Sequence, residues 1–127
     1  MSNSDLCIMY PIGYIITVKE GTERELIEYC ASDGRAPFRT WMDSLKDKRT
    51  RARIDARLLR VRLGNFGDAK AVGGGVHELR INFGPGYRIY FGLEGVRVVV
   101  LLIGGDKTTQ TKDIENAKTY WADYTSE

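Results

Sequence analysis

Arg80 and Arg88 flank the turn signal Gly84-Pro85-Gly86, and Glu78 stands two residues before the first of them. If the flanking segments pair as an antiparallel hairpin, alternation puts Glu78, Arg80 and Asn82 on one face and His77, Leu79, Ile81 and Phe83 on the other. In the returning segment Arg88 and Tyr90 share a face, opposite Ile89 and Phe91. Two guanidiniums side by side on a sheet repel unless something anionic lies between them, and the oxygens of a phosphate match the arginine fork. Salt bridges to Glu78 and to the acidic N-terminal segment account for the same pair without a ligand. A second cationic feature precedes them. Residues 46–62 carry Lys46, Lys48, Arg49, Arg51, Arg53, Arg57, Arg60 and Arg62 against Asp47 and Asp55, while residues 1–34 hold six acidic side chains and two basic ones. Arg49, Arg53, Arg57 and Arg60 recur at spacings of four, four and three, so they line one flank of a helix. Such segregation fits an anionic partner or a solvated helix face. Tyr87 and Tyr90 offer rings for stacking on a base or for cross-strand packing. His77 groups by alternation with apolar residues, which places it in a core or at its rim.

These side chains need elements to hold them. Residues 1–24 read as a variable leader containing a strand pattern at Tyr14–Val18, and residues 25–127 as one domain. Leu26–Cys30 is a second short strand pattern, closed by Ser32-Asp33-Gly34. Pro37 suits a first helical turn, and Phe38, Trp41, Met42 and Leu45 recur at helical spacing. A longer helix runs from about Lys48 to Leu63 and stops at Gly64. One stripe of it is Ile54, Leu58 and Val61. A second, Ala52, Ala56, Leu59 and Leu63, is covered by Trp41, Met42 and Leu45 or left open to a partner. Asn65–Gly75 reads as a flexible glycine-rich loop with Lys70 in its middle, lacking the spacing of a phosphate-cradling P-loop. Three strand patterns follow, Val76–Asn82, Tyr87–Leu93 and Val96–Ile103, the last apolar enough to be covered on both faces. Thr109 to about Tyr124 reads as a closing helix. The order is β-α-α-β-β-β-α, an α+β domain with helices packed on one antiparallel sheet.

The chain has 127 residues, 43% hydrophobic and 28% charged, with a net charge of +2. That suits one globular domain and rules out wholesale disorder. Its longest apolar run, Val98–Ile103, is six residues, against the roughly 20 that a membrane span needs. Met1–Tyr10 lacks the basic start and cleavage site of a secretory signal. With His77 the only histidine and Cys7 and Cys30 far apart, a Cys/His zinc site is not expected. A reducing cytoplasm is the expected setting.

Residues 28–121 resemble the RelE/ParE toxin superfamily, in particular its addiction-module killer proteins related to HigB-type toxins. The resemblance rests on Asp33-Gly34-Arg35-Ala36-Pro37-Phe38 leading into Trp41 and Leu45, and on Arg51-Ala52-Arg53-Ile54. It continues through Leu63-Gly64-Asn65-Phe66-Gly67-Asp68-Ala69-Lys70 and Gly75-Val76-His77-Glu78-Leu79-Arg80-Ile81. It ends with Gly84-Pro85-Gly86-Tyr87-Arg88-Ile89-Tyr90-Phe91 and Gly104-Gly105-Asp106-Lys107 before Gln110, Asp113 and Ile114. The resemblance implies a RelE-like fold, an antiparallel sheet with an N-terminal helical hairpin on one side. It implies a type II toxin that cleaves messenger RNA on the ribosome without metal or cofactor, silenced by a cognate antitoxin, such as a helix-turn-helix protein, encoded beside it.

By position, Arg88 matches a phosphate-stabilising arginine, Arg80 a basic strand position and Lys107 a cation in the turn after the last strand. Where RelE-type members carry a tyrosine near the C-terminus this chain has Asp113 or Ile114, leaving Glu78 and His77 as local candidates for the base. Lys70, Tyr87, Tyr90, Arg49, Arg53, Arg57 and Arg60 are then expected to bind RNA. ParE-type relatives poison DNA gyrase by binding instead, and a domesticated copy would only bind its antitoxin and assist repression.

Overall fold

The computed structural model describes residues 23–126. The strand pattern at Tyr14–Val18, and nearly all of the expected leader, lie outside them. Strand β1 (Glu25–Glu28) leads to helices α1 (Pro37–Ser44) and α2 (Lys48–Arg62). Strands β2 (Ala69–Gly73), β3 (Val76–Ile81), β4 (Tyr87–Glu94) and β5 (Val98–Asp106) follow, and a single 3-10 turn (Lys107–Thr109) opens helix α3 (Gln110–Thr125). The α+β class holds: a five-stranded sheet in the order β1-β5-β4-β3-β2 and three helices.

Local chemistry explains the helix limits. Pro37 opens α1, whose buried Phe38 and Met42 lie one turn apart. Asp47 caps α2 by accepting from the Arg49 backbone N–H at 3.0 Å. Gly64, at φ +98°, takes the left-handed turn past its end that other residues avoid.

Two expectations about the sheet are corrected. It is mixed, because β1 runs parallel to β5 while the other pairs are antiparallel. Parallel neighbours need a long crossover, and everything from α1 to β4 supplies it. The glycine-rich stretch is also not a loop throughout: Ala69–Gly73 forms edge strand β2 against β3. Its alanines and glycines carry little strand propensity, so backbone pairing to β3 decides the matter. Strand β5 begins at Val98 rather than Val96, and Val96 is the one large hydrophobic residue exposed among those described.

The helices occupy both faces. On one face Phe38, Met42, Ile54, Leu58 and Val61 of α1 and α2 pack on Leu79, Ile89, Phe91, Val99 and Leu101. On the other, Ala117 and its neighbours in α3 pack on Ile27, Val76, Tyr90, Val100 and Leu102. Strand β5 is therefore central and apolar on both sides, as its composition implies. Trp41, Met42 and Leu45 pack in the first core, which also takes the Ile54, Leu58 and Val61 stripe of α2. Ala52 and Ala56 are exposed, and Leu59 and Leu63 half-buried. An irregularity in the β4–β5 pairing, where Tyr90 faces Ile103 but Phe91 faces Leu101, sets the far end of β5. It brings bare Gly104 beneath the Trp41 ring and bare Gly105 beside Asp113.

Candidate nucleic-acid interface

The β3–β4 hairpin pairs Arg80 directly with Arg88 and Glu78 with Tyr90, as alternation requires. Glu78 is fully buried between the two arginines. It accepts hydrogen bonds from Gln110 Nε2 at 2.7 Å, Tyr90 Oη at 3.0 Å and Arg80 Nε at 3.3 Å, and Arg88 Nε approaches to 3.6 Å. Burial pushes its pKa up, but the hydrogen bonds from Gln110, Tyr90 and Arg80 and the charge of Arg88 outweigh that and hold it below the usual range. A carboxylate saturated by donors and shut from solvent is a poor proton acceptor. Its geometry suits it to hold Arg80 and Arg88 in place.

Tyr90 is fully buried, its hydroxyl committed to Glu78. Burial first, and then the Glu78 charge, raise its pKa. This corrects the expectation that it stacks on a base. Tyr87 points to the opposite face, where it meets the Trp41 ring edge-on at 6.2 Å. His77 lies on that face too, stacked on Phe91 at 5.3 Å, and so is separated by the sheet from Arg80 and Arg88.

In front of the arginine pair two clefts, of about 540 and 790 Å³, share Asp68, Arg80, Asn82 and Phe83 as a common wall. Together they are lined by six cations, Arg53, Arg57, Arg60, Arg80, Arg88 and Lys107, and by one carboxylate, Asp68. Three elements converge here: the flank of α2, the β3–β4 hairpin and the turn after β5. The Arg53 guanidinium lies 4.4 Å over the Phe83 ring, which braces it at the cleft wall. The Lys107 stem packs against Gly86, where an added Cβ would lie 2.9 Å from its Cδ and 3.7 Å from Arg88 Nη1. Gly86 itself, at φ +83°, closes the hairpin and lets Lys107 and Arg88 approach.

Of the residues expected to act, Arg80, Arg88 and Lys107 thus meet in one cleft, and Arg53, Arg57 and Arg60 line the adjoining one, with Arg80 on the shared wall. Arg88 is buried, not a free surface cation, and so is Arg57. Arg49 is exposed near the start of α2 and lines neither cleft. Lys70 is exposed on edge strand β2, paired in register with Glu78 on the Arg80 face but outside the cleft lining. Sequence reasoning passed over Gln110, which clamps Glu78, and Asp68. Asp68 tethers the cleft through its carbonyl, which accepts from the Arg80 backbone N–H at 3.0 Å and from Arg57 Nη2 at 3.4 Å. A sequence offers little to mark them, since both partnerships join segments far apart in the chain.

A separate cleft of about 500 Å³ between α1 and α3 is lined by Trp41, Gly104, Gly105, Asp113 and Tyr120, with Arg35 its only basic side chain. Asp113 is buried there and accepts from Thr109 Oγ1 at 2.5 Å. Burial raises its pKa, only partly offset by that bond. Among the described residues no three His, Cys, Asp or Glu side chains converge in a way that would hold a metal ion. Nor is any helix among them long and apolar enough to cross a membrane.

Against known proteins, the chain is 51% identical over 81 residues to an uncharacterized protein of Haemophilus influenzae (strain ATCC 51907 / DSM 11121 / KW20 / Rd). The aligned part covers 64% of this chain and 82% of that relative. The two belong to one family. No protein-family model matches the chain, and no solved structure does.

Proposed function

We propose that the cationic cleft binds an RNA strand and that the protein is the toxin of a type II toxin–antitoxin module, with a RelE-like fold. In this reading it acts in the cytoplasm, cleaving messenger RNA on the ribosome. The observation that carries the reading is the convergence of Arg80, Arg88 and Lys107 in one of two adjoining clefts that together hold six cations and one carboxylate. A cleft so charged repels itself when empty and gains most from a polyanion. The resemblance to RelE/ParE toxins points the same way, since it sets Arg80, Arg88 and Lys107 against cationic positions of those proteins.

The chemistry asks little of the protein beyond position and charge. The 2′-hydroxyl of the substrate attacks the neighbouring phosphorus, and the bond from phosphorus to the 5′-oxygen breaks. A 2′,3′-cyclic phosphate and a 5′-hydroxyl result. Arg80 and Arg88, held at fixed spacing by Glu78, bind the phosphate oxygens as negative charge grows on them. Asp68, the one carboxylate of the lining, takes the 2′-hydroxyl proton, and the Lys107 ammonium gives one to the departing 5′-oxygen. Glu78 is in this scheme a positioning residue. The antitoxin meets the open side of α2, where Ala52 and Ala56 are exposed beside half-buried Leu59 and Leu63.

Primer extension on messages from cells expressing the chain tests the proposal. Cuts inside translated codons, lost on Asp68→Asn and Arg80→Ala, are the expected result. Intact messages together with blocked gyrase supercoiling would refute cleavage and favour a ParE-like action.

A further inference from the structure

Arg57 is anomalous. It is 7% exposed, yet among the described residues its guanidinium meets no acidic side chain within ion-pair distance, and Nη1 is buried without a hydrogen-bond partner there. Its one hydrogen bond is the long contact from Nη2 to the Asp68 carbonyl. The chain closes over it tightly: a Cβ added to Gly67, at φ +65°, would lie 2.9 Å from Nη2. An arginine buried this way is costly unless something anionic completes it, and burial accordingly lowers its pKa, with Arg60 adding to the effect and the charge of Asp68 offsetting it only in part. Its neighbours in the cleft are Arg53 and Arg60 from the same helix, so no carboxylate but Asp68 stands near to satisfy it.

We propose that Arg57, with Arg53 and Arg60, forms a second phosphate subsite, filled by the phosphate adjacent along the strand to the one held by Arg80, Arg88 and Lys107. The shared wall of Asp68, Arg80, Asn82 and Phe83 joins the two clefts, so one single strand can lie across both. The smallest ligand that fills the site is then a strand segment with two successive phosphates, and a mononucleotide fills only half of it. This rests on the RNA reading for the identity of the strand, but it concerns binding and not cleavage.

The probe is hexauridylate carrying 2′-O-methyl groups, which removes the attacking hydroxyl, with uridine monophosphate for comparison. The intact protein is expected to bind the hexamer far more tightly than the monophosphate, with affinity falling steeply as salt rises. Arg57→Met is expected to bind the hexamer at least about tenfold more weakly, with a shallower salt dependence. It is also expected to melt at the same temperature or higher, because an unpaired buried charge has gone. Unchanged affinity in a folded Arg57→Met protein overturns the proposal. Should Arg57→Met fail to fold, Arg60→Gln at the exposed end of the subsite decides. A weaker, less salt-dependent complex supports the second phosphate, and unaltered binding refutes it. Tight binding of the methylated hexamer without cleavage of unmodified message would refute the nuclease and leave this subsite standing. Cleavage with binding insensitive to Arg57 and Arg60 would do the reverse.

Discussion

Replacing Glu78 by glutamine removes the one charge that holds the arginine pair together and changes almost nothing in shape. Glu78 is fully buried, and the Arg88 side chain is 11% exposed while Arg80 is 35% exposed. Breaking a buried ion pair on one side usually costs about 3–5 kcal/mol, because the remaining charge stays buried. Solvent screens the Arg80 part, so the lower end, about 3 kcal/mol, is the expected loss. At about 4 °C per kcal/mol for a domain of this size, the melting temperature should fall by about 12 °C at pH 7. The pH dependence gives an independent check. The Glu78 pKa is lowered in the folded protein, so its stabilisation is complete above the ordinary glutamate range and is lost as pH falls through the lowered value. Glutamine does not titrate, so the gap between the two proteins should narrow on acidification. Thermal melts by circular dichroism from pH 7 downward measure both quantities. A gap below about 1 kcal/mol at pH 7, or one that persists unchanged to about pH 3, would refute the view that Glu78 organises the site.

Three further outcomes follow from the same geometry. Lys107→Ala, at an exposed position that lines the cleft, should leave the melting temperature within about 2 °C while slowing RNA cleavage about a hundredfold in a ribosome assay, so a normal rate would remove Lys107 from the chemistry. Asp113→Asn should raise the melting temperature at pH 7, because burial lifts the Asp113 pKa and its ionisation opposes folding; below the ordinary aspartate range, where the acid is neutral folded or unfolded, the gain should vanish. Gly104→Ala should destabilise by about 2 kcal/mol or more in denaturant titrations, since the new Cβ would lie 2.2 Å from the Trp41 ring on a strand held by both cores.

Hydrophobic period and turn chemistry belong to the sequence, and they determined most of the elements here. The spacing of Phe38, Trp41, Met42 and Leu45, the glycine after Leu63 and the alternation from Val76 to Ile81 each act over a few residues, so their outcomes match α1, α2 and β3 closely. The same short-range rules placed Arg80 across from Arg88 and put Glu78 on their side. What lay beyond them was set by contacts between distant segments. Strand β2 exists because β3 offers it backbone partners, β1 is parallel to β5 because the long connection from α1 to β4 returns the chain in the same direction, and α3 takes the opposite face from α1 and α2 because β5 is apolar on both. Burial was equally out of reach. Arg57 and Arg60 are both arginines on one basic flank, yet one lies under the Gly67 turn and the other is exposed, and only the loop packing over the helix separates them. Tyr90 and Tyr87 differ for the same reason, since the strand faces they occupy meet different helices. Spacing along the chain determined which side chains share a face; the tertiary structure decided which of them keep their charge in contact with solvent, because desolvation depends on everything packed above a residue and not on its neighbours in sequence.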